Sequence, residues 1–279
     1  NTTGHTSSSD GNINPSLGLI YDVTDSLSLK ASHSYATRSP RLYESMLAPS
    51  RNIVTAPNLK AERSRTTEIG FNYRPIQDLS LTGSYFWQKI NNVHDFACLS
   101  GSCAGGRSTY TSGITQSTNN GYIKNKGYEF GANYRWRGLT ARMGVAYSDP
   151  KHHYLFDSYD INTKAHAVGR TWTAGLAYRF DRPNLEIGWR GRFVQSRIGK
   201  PSRGATASEG TTEKRAGHGV NDIYANWKPT GKDDLNINFA VNNVGNKYYY
   251  SHSQRSSSRS GNSLPEVGRD FRLAVNYKF

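Results

Sequence analysis

The sequence lacks the features that mark helical membrane proteins and large soluble cores. It contains two cysteines and two methionines in 279 residues, and its hydrophobic residues amount to only 35%. Its mean hydropathy of −0.71 is low for a protein with a large two-layer core. No segment approaches the roughly 18–20 continuous apolar residues of a membrane-spanning helix. The composition therefore excludes a helical membrane span and disfavours a large soluble core.

The first ten residues contain neither the charged start nor the apolar stretch of a secretory signal peptide. We therefore expect that the chain has been processed or that its start is missing.

The two cysteines lie five residues apart, at Cys98 and Cys103, in a segment rich in Gly and Ser. A structural metal site needs about four ligands, and the sequence has no second pair of cysteines, so no metal site is predicted. The spacing favours a local disulfide formed in an oxidising compartment. Two unpaired loop thiols are the alternative.

The formal net charge of +14 first suggests a nucleic-acid partner. However, Arg and Lys are spread along the polar faces of alternating segments and are not concentrated on one element. We therefore expect no nucleic-acid partner.

Aromatic residues are abundant, at 12%, and Tyr outnumbers Phe and Trp. Rings with a polar edge suit a membrane interface. Several lie near the ends of apolar faces, which indicates an interface girdle: Trp87, Trp136, Tyr147, Trp189 and Trp227.

The chain also ends on a regular alternation, with one apolar set that we expect to face lipid: Phe271, Leu273, Val275, Tyr277 and Phe279.

Alternating segments of about ten residues recur along the chain and are joined by two kinds of connection. Short turns carry Pro, Gly or Asp, whereas the long connections are polar and lie near residues 38–63, 94–120, 149–167, 198–217 and 249–268. Alternation of short and long connections is the rule in outer-membrane barrels. The pattern predicts an all-β, antiparallel transmembrane β-barrel with about eleven strands. Bacterial barrels have even strand counts, so we expect residues 1–279 to be part of a larger barrel, truncated at the amino terminus.

Six segments carry a family resemblance in their order and spacing: residues 35–44, 57–62, 67–71, 125–130, 242–249 and 265–279. Together they resemble TonB-dependent outer-membrane receptors, a family of 22-stranded barrels with an internal plug. The resemblance implies that the chain is the carboxy-terminal part of such a barrel and that the plug domain is absent from it.

The resemblance also implies a function and partners. It implies active import of an iron chelate, either a ferric siderophore or haem, across the bacterial outer membrane. The TonB-ExbB-ExbD system would act through the missing plug region, and no intrinsic cofactor is expected. A passive diffusion porin is the alternative.

No nucleophile-base arrangement such as Gly-x-Ser-x-Gly occurs, so we do not expect an enzyme.

Charged residues on the polar faces are expected in the lumen, because a charge facing lipid at mid-depth costs about 2–4 kcal/mol. They would either solvate the inner wall or, as the resemblance implies, pair with a plug: Glu68, Arg74, Glu129, Arg135, Arg142, Arg179, Arg190 and Arg192.

Ligand contacts are sought in the long connections. Haem importers of the family carry a loop His in the region that corresponds to residues 42–57, where this sequence has none, although residues 217–225 are similar to that subgroup. Histidines that could touch a metal or haem are His152, His153 and His166. Loop arginines could attract an anionic ferric chelate, contact outer-leaflet lipopolysaccharide or aid solubility: Arg41, Arg51, Arg107, Arg203, Arg255 and Arg259.

Overall fold

The computed structural model describes residues 11–41, 53–54, 58–100, 114–153, 155, 168–199, 213–232, 234–253 and 265–278. In this part of the chain, no helix reaches the length and hydropathy needed to cross a bilayer. The described elements are β1 (Ser16–Thr24), β2 (Leu27–Arg38), β3 (Ile53–Val54), β4 (Glu62–Ile76), β5 (Leu79–Asn91), β6 (His94–Ser100), β7 (Ile114–Asn119), β8 (Tyr122–Trp136), β9 (Leu139–Ser148), β10 (Lys151–His153), β11 (Thr171–Phe180), β12 (Leu185–Val194), β13 (Arg197–Gly199), β14 (Glu213–Arg215), β15 (His218–Trp227), β16 (Leu235–Asn242) and β17 (Asp270–Tyr277).

Eleven long strands form one antiparallel sheet in chain order, β1-β2-β4-β5-β8-β9-β11-β12-β15-β16-β17. The short strand β10 also pairs with β8, where it continues the path of β9 beyond Pro150. Proline has no amide hydrogen, which explains the break between β9 and β10. The prediction of an all-β antiparallel fold with about eleven strands is confirmed.

One face of this sheet, the apolar face, carries large hydrophobic side chains that are exposed. Met143 is 64% exposed and Leu273 is 69% exposed, although both lie within regular strands. A single row of register partners shows how the face continues from strand to strand: Tyr21, Leu29, Phe71, Gly83, Phe130, Val145, Trp172 and Phe193. An apolar surface of this extent is typical of a face that meets lipid.

The opposite, polar face carries many of the charged and amide side chains. One row of register partners contains Ser80, Asn133, Arg142, Gly175, Arg190 and Asp222. Because side chains alternate across a strand, every strand contributes to both faces.

The two ends of the sheet differ. At one end, the turn end, the strands are joined by short turns at residues 25–26, 77–78, 137–138, 181–184 and 228–234. At the other, the loop end, the strands are followed in sequence by the long connections of residues 39–61, 92–121, 149–170, 195–217 and 243–269.

Short strands occur within these long connections, where the sequence predicted none. Strands β3, β7 and β6 form a small separate sheet, and β13 pairs with β14. Their alternation is too short to stand out in the sequence. Strands β6 and β7 pair within one connection, as do β13 and β14, whereas β3 and β7 join two separate connections.

Replacing Met143 with Arg should destabilise the protein by about 2–4 kcal/mol in lipid vesicles, because it places a charge on the lipid face. The control is Ala146→Arg on the polar face of the same strand, opposite Glu129, and we expect it to cost less than about 1 kcal/mol. Denaturant unfolding of the vesicle-embedded protein measures both losses of stability. Equal losses in the two variants would contradict the assignment of the faces.

Candidate functional site

The eight charged residues expected in the lumen all lie on the polar face. Glu68 pairs in register with Ser32 and Phe86, and Arg142 and Arg190 share one row with Asp222. The remaining members lie on the same face of their strands: Arg74, Glu129, Arg135, Arg179 and Arg192. Their contact with a plug stays a prediction.

Arg190 and Asp222 link the wall of the sheet to a loop. The Arg190 guanidinium lies 4.5 Å from the centre of the Tyr224 ring, a cation–π contact. The Asp222 carboxylate opposite accepts a hydrogen bond from the Asn243 amide at 2.7 Å. Asp222 therefore fixes the start of the connection that follows β16.

At the loop end, His94 is the centre of a buried polar network. Its amide donates to Glu62 Oε1 at 2.7 Å, and its Nε2 donates to the Lys60 carbonyl at 2.6 Å. Arg38 Nη2 donates to His94 Nδ1 at 3.0 Å, and Arg38 Nε donates to Glu62 Oε2 at 2.7 Å. These bonds join the connection before β4 to the one after β5, and His94 is only 1% exposed.

Asn120 extends this arrangement to a third connection. Its side-chain amide donates to Asp95 Oδ2 at 3.2 Å, and its side-chain oxygen accepts from the Leu155 amide at 2.8 Å. The Asn120 carbonyl lies 2.7 Å from Nε2 of His152. His153 points to the other face and stacks on Tyr122 at 4.6 Å between ring centres. The structure therefore does not bring His152 and His153 to one site.

His252 anchors the connections nearer the end of the chain and is 2% exposed. Its Nδ1 accepts from the Gly169 amide at 3.1 Å, and its Nε2 donates to the Ala216 carbonyl at 2.8 Å. Arg215 donates to the His252 carbonyl. Segments 149–170, 195–217 and 243–269 are thus held together by one imidazole and its backbone.

His218 lies beside His252 and differs from it in one respect. It is 7% exposed, and neither of its ring nitrogens has a hydrogen-bond partner in the described residues. Its ring stacks on Tyr249 at 4.4 Å and meets the edge of His252 at 5.4 Å. Arg192 Nη2 donates to the Tyr249 hydroxyl at 3.2 Å. We call these four side chains the His218 group.

The His218 group has the chemistry of a ligand-binding site. A buried polar group without a partner costs about 1–3 kcal/mol, so one that persists calls for an explanation such as a ligand. Imidazole nitrogen binds metals, and Arg192 adds positive charge for an anionic ligand. The sequence prediction missed these residues as ligand contacts, although residues 217–225 carried the similarity to haem importers.

Asp149 forms a second charged cluster at the loop end. Arg197 Nη2 lies 2.6 Å from its Oδ1, and Lys151 Nζ lies 3.2 Å from its Oδ2. Burial acts to raise the pKa of Asp149, but the hydrogen bonds from Arg197 and Lys151 outweigh burial and hold the pKa below its ordinary value. The carboxylate is therefore ionised at neutral pH.

Several of the predicted site residues lie at the limits of the described ranges or outside them. Arg41 is exposed where a described stretch ends, and Cys98 belongs to β6, although its side chain is not described. Within the described ranges, no group of three or more His, Cys, Asp or Glu side chains is placed to hold a metal ion. Outside the described residues lie Arg51, Cys103, Arg107, His166, Arg203, Arg255 and Arg259.

The antiparallel sheet, with an exposed apolar face, a charged opposite face and connections of alternating length, defines an outer-membrane barrel architecture. The chain matches the family model described as TonB dependent receptor-like, beta-barrel, over residues 1–244. It belongs to the TonB-dependent receptor family.

Among its relatives, the TonB-dependent heme receptor A of Haemophilus ducreyi is 24% identical over 94% of this chain and 37% of its own length. The hemin receptor of Yersinia enterocolitica is 25% identical over 92% of this chain and 37% of its own length. The solved structure of the FrpB iron transporter from Neisseria meningitidis (F3-3 variant) is 48% identical, covers 96% of this chain and 38% of its own, and superposes with a TM-score of 0.78. The chain thus spans less than half the length of these proteins.

Asp149→Asn should lower stability by about 1–3 kcal/mol at neutral pH, because it removes a charge-assisted interaction with Arg197. Since the folded pKa of Asp149 is depressed, its contribution is complete above about pH 3.9, the ordinary value for Asp, and disappears as the pH falls through the folded value. Thermal unfolding between pH 7 and pH 2 measures the difference. A gap between wild type and variant that does not narrow in acid would contradict this account.

His218→Phe should keep or raise stability, because it removes buried ring nitrogens that have no partner, yet it should weaken iron-chelate binding at least tenfold if those nitrogens serve the ligand. Thermal unfolding and chelate titration of the purified receptor measure the two effects. By comparison, His252→Phe breaks two hydrogen bonds and should lower stability by about 1–3 kcal/mol. Unchanged chelate affinity in His218→Phe would remove His218 from the site.

Proposed function

We propose that this chain forms the carboxy-terminal part of the barrel of an outer-membrane receptor that actively imports an iron chelate. The match of the family's barrel model to residues 1–244 carries this proposal. The remainder of the receptor supplies a plug, and the TonB-ExbB-ExbD system supplies energy through that plug.

Pairing at the edges of the sheet supports a larger barrel. Strand β1 pairs with β2, and β17 pairs with β16, so each edge strand has one partner in the described sheet. An open edge in a bilayer leaves amide and carbonyl groups without partners, at several kcal/mol for each group. In the proposed receptor, further strands satisfy both edges and bring the total to about 22.

The ligand is proposed to be a ferric siderophore or haem. Similarity to a protein named as an iron transporter, at 48% identity, supports an iron cargo. Similarity to a heme receptor and a hemin receptor supports haem as the alternative cargo. The His218 group would meet the ligand on the polar face. The loop arginines, with Arg41 among them, would attract an anionic chelate by their field.

The charged side chains of the polar face would contact the plug or solvate the lumen. Glu68 and Glu129 would accept hydrogen bonds there, and the arginines of the same face would donate them. Import in this form needs no covalent chemistry, so the receptor is proposed not to be an enzyme. Membership in the receptor family favours this mechanism over a passive diffusion porin.

The test is uptake of labelled ferric siderophores and labelled haem by iron-limited cells with and without the intact gene. We expect uptake of one ligand class to fall at least tenfold without the gene, and to fall equally when TonB is removed from cells that keep the gene.

Two results would reject the proposal. Uptake that persists without TonB would identify a passive route, as in a porin. If removing the gene lowers the uptake of neither ligand class, an iron-chelate cargo is excluded. Expression of the receptor in the outer membrane is checked in parallel, so that an absent protein is not mistaken for an inactive one.

A further inference from the structure

Four cations lie side by side on the apolar face near the loop end. Arg65 is the register partner of Lys89, Lys89 of Lys124, and Lys124 of Lys151. They come from β4, β5, β8 and β10 and form one row across the sheet, which we call the cation row. Neighbouring strands lie about 4.8 Å apart, so the row spans about 14 Å.

The cation row coincides with the end of the apolar surface. Towards the turn end on the same strands and the same face, the next two rows contain Trp87 with Thr67, and Tyr85 with Ile69 and Tyr128. Lys126 lies opposite Trp87, so β8 changes from aromatic to cationic side chains one row nearer the turn end than β5 does. The three adjacent strands β4, β5 and β8 therefore become basic within two neighbouring rows, as expected where a bilayer core gives way to its headgroups.

Most of the side chains in the cation row form no ion pair with a described carboxylate. Lys151 pairs with Asp149, but that carboxylate is also bound by Arg197. Within the described residues, no ion pair is formed by Arg65, Lys89 or Lys124. Like charges directly opposite each other on paired strands are destabilising, so such an arrangement calls for a counter-anion.

Aromatic rings hold part of the row in place. Lys89 Nζ lies 4.7 Å from the centre of the Tyr122 ring, and Lys124 Nζ lies 5.5 Å from it. His153 stacks on the same ring at 4.6 Å. Two ammonium groups are thus gathered over one ring, and both keep hydrogen-bond donors for an external acceptor.

Below the row, the apolar face contains a groove of about 650 Å³ beside Gly83. A Cβ atom at Gly83 would overlap the rings of Phe71 and Phe130. The absence of a side chain at Gly83 therefore contributes to the groove. The groove is lined by apolar side chains that include Leu19, Tyr21, Leu29, Ile69, Phe71 and Phe130. An acyl chain would fit there beneath an anionic headgroup.

We propose that the cation row, formed by Arg65, Lys89, Lys124 and Lys151, is a docking site for the phosphate groups of a lipopolysaccharide molecule in the outer leaflet. The proposal rests on the outer-membrane location within the proposed function. Cations at headgroup level above an apolar surface match a lipid with several phosphates and several acyl chains. A soluble anion or an acidic protein would not use the apolar rows directly below.

The test compares the double variant K89Q/K124Q with wild type in the full-length receptor, purified in detergent free of lipopolysaccharide. Binding of fluorescent lipopolysaccharide is titrated with EDTA present, so that bridging divalent cations do not contribute. We expect the variant to bind at least tenfold more weakly. Wild type should show a similar loss with lipopolysaccharide from which the phosphates have been removed.

The matched control is K232Q/K278Q, which removes the same charge from exposed positions at the turn end and should bind as wild type does. In lipopolysaccharide-free detergent, the Tm of K89Q/K124Q should equal or exceed that of wild type, because like-charge repulsion is relieved. The affinity of K89Q/K124Q for the iron chelate should equal that of wild type. Lipopolysaccharide binding is measured without the chelate, so failure of the import proposal would not alter the lipopolysaccharide result.

Three outcomes would overturn the proposal. The first is affinity of K89Q/K124Q within twofold of wild type. The second is equal competition by phosphatidylglycerol vesicles, which would make the row a general anionic-lipid contact. The third is a lower Tm of the variant in lipopolysaccharide-free detergent, which would assign both lysines a structural role over Tyr122. Single variants K89Q and K124Q give the same comparison if the double variant fails to fold.

Discussion

The uninterrupted antiparallel pairing of eleven strands is the constraint on which the rest of this structure depends. In lipid, each backbone amide and carbonyl needs a partner within the protein, so the ladder must continue from strand to strand. Register also decides which side chains share a face, because a slip of one residue would exchange the two faces of a strand. The row from Tyr21 to Phe193 and the row from Ser80 to Asp222 both follow from this pairing.

At the loop end, buried imidazoles take over the role that backbone pairing has in the sheet. His94 and His252 each use both ring nitrogens to join connections that are distant in sequence. His218 is buried beside them with its ring nitrogens unused by the fold. The contrast separates side chains that hold the connections together from a side chain that is suited to meet a ligand.

The sequence predicted much of the fold and less of the site. The strand number and the two faces followed from alternation with period two, and the eight charged residues expected in the lumen share one face. The short strands β3, β6 and β7 were missed, because their alternation is too short to stand out and because β3 pairs with β7 across two separate connections. His152 and His153 were grouped by proximity in the chain, yet neighbours in a strand point in opposite directions.

The sequence by itself determined the strands, their two faces and the alternation of short turns with long connections, since each of these is a local pattern. Only the tertiary structure decided which positions on different strands become neighbours. Arg65, Lys89, Lys124 and Lys151 are scattered over 87 positions of the chain, and register places them in one row. Likewise, His218 meets Tyr249 and His252 only because loop contacts fix their positions. Alternation is encoded residue by residue, whereas proximity between strands depends on hydrogen bonds that span the fold.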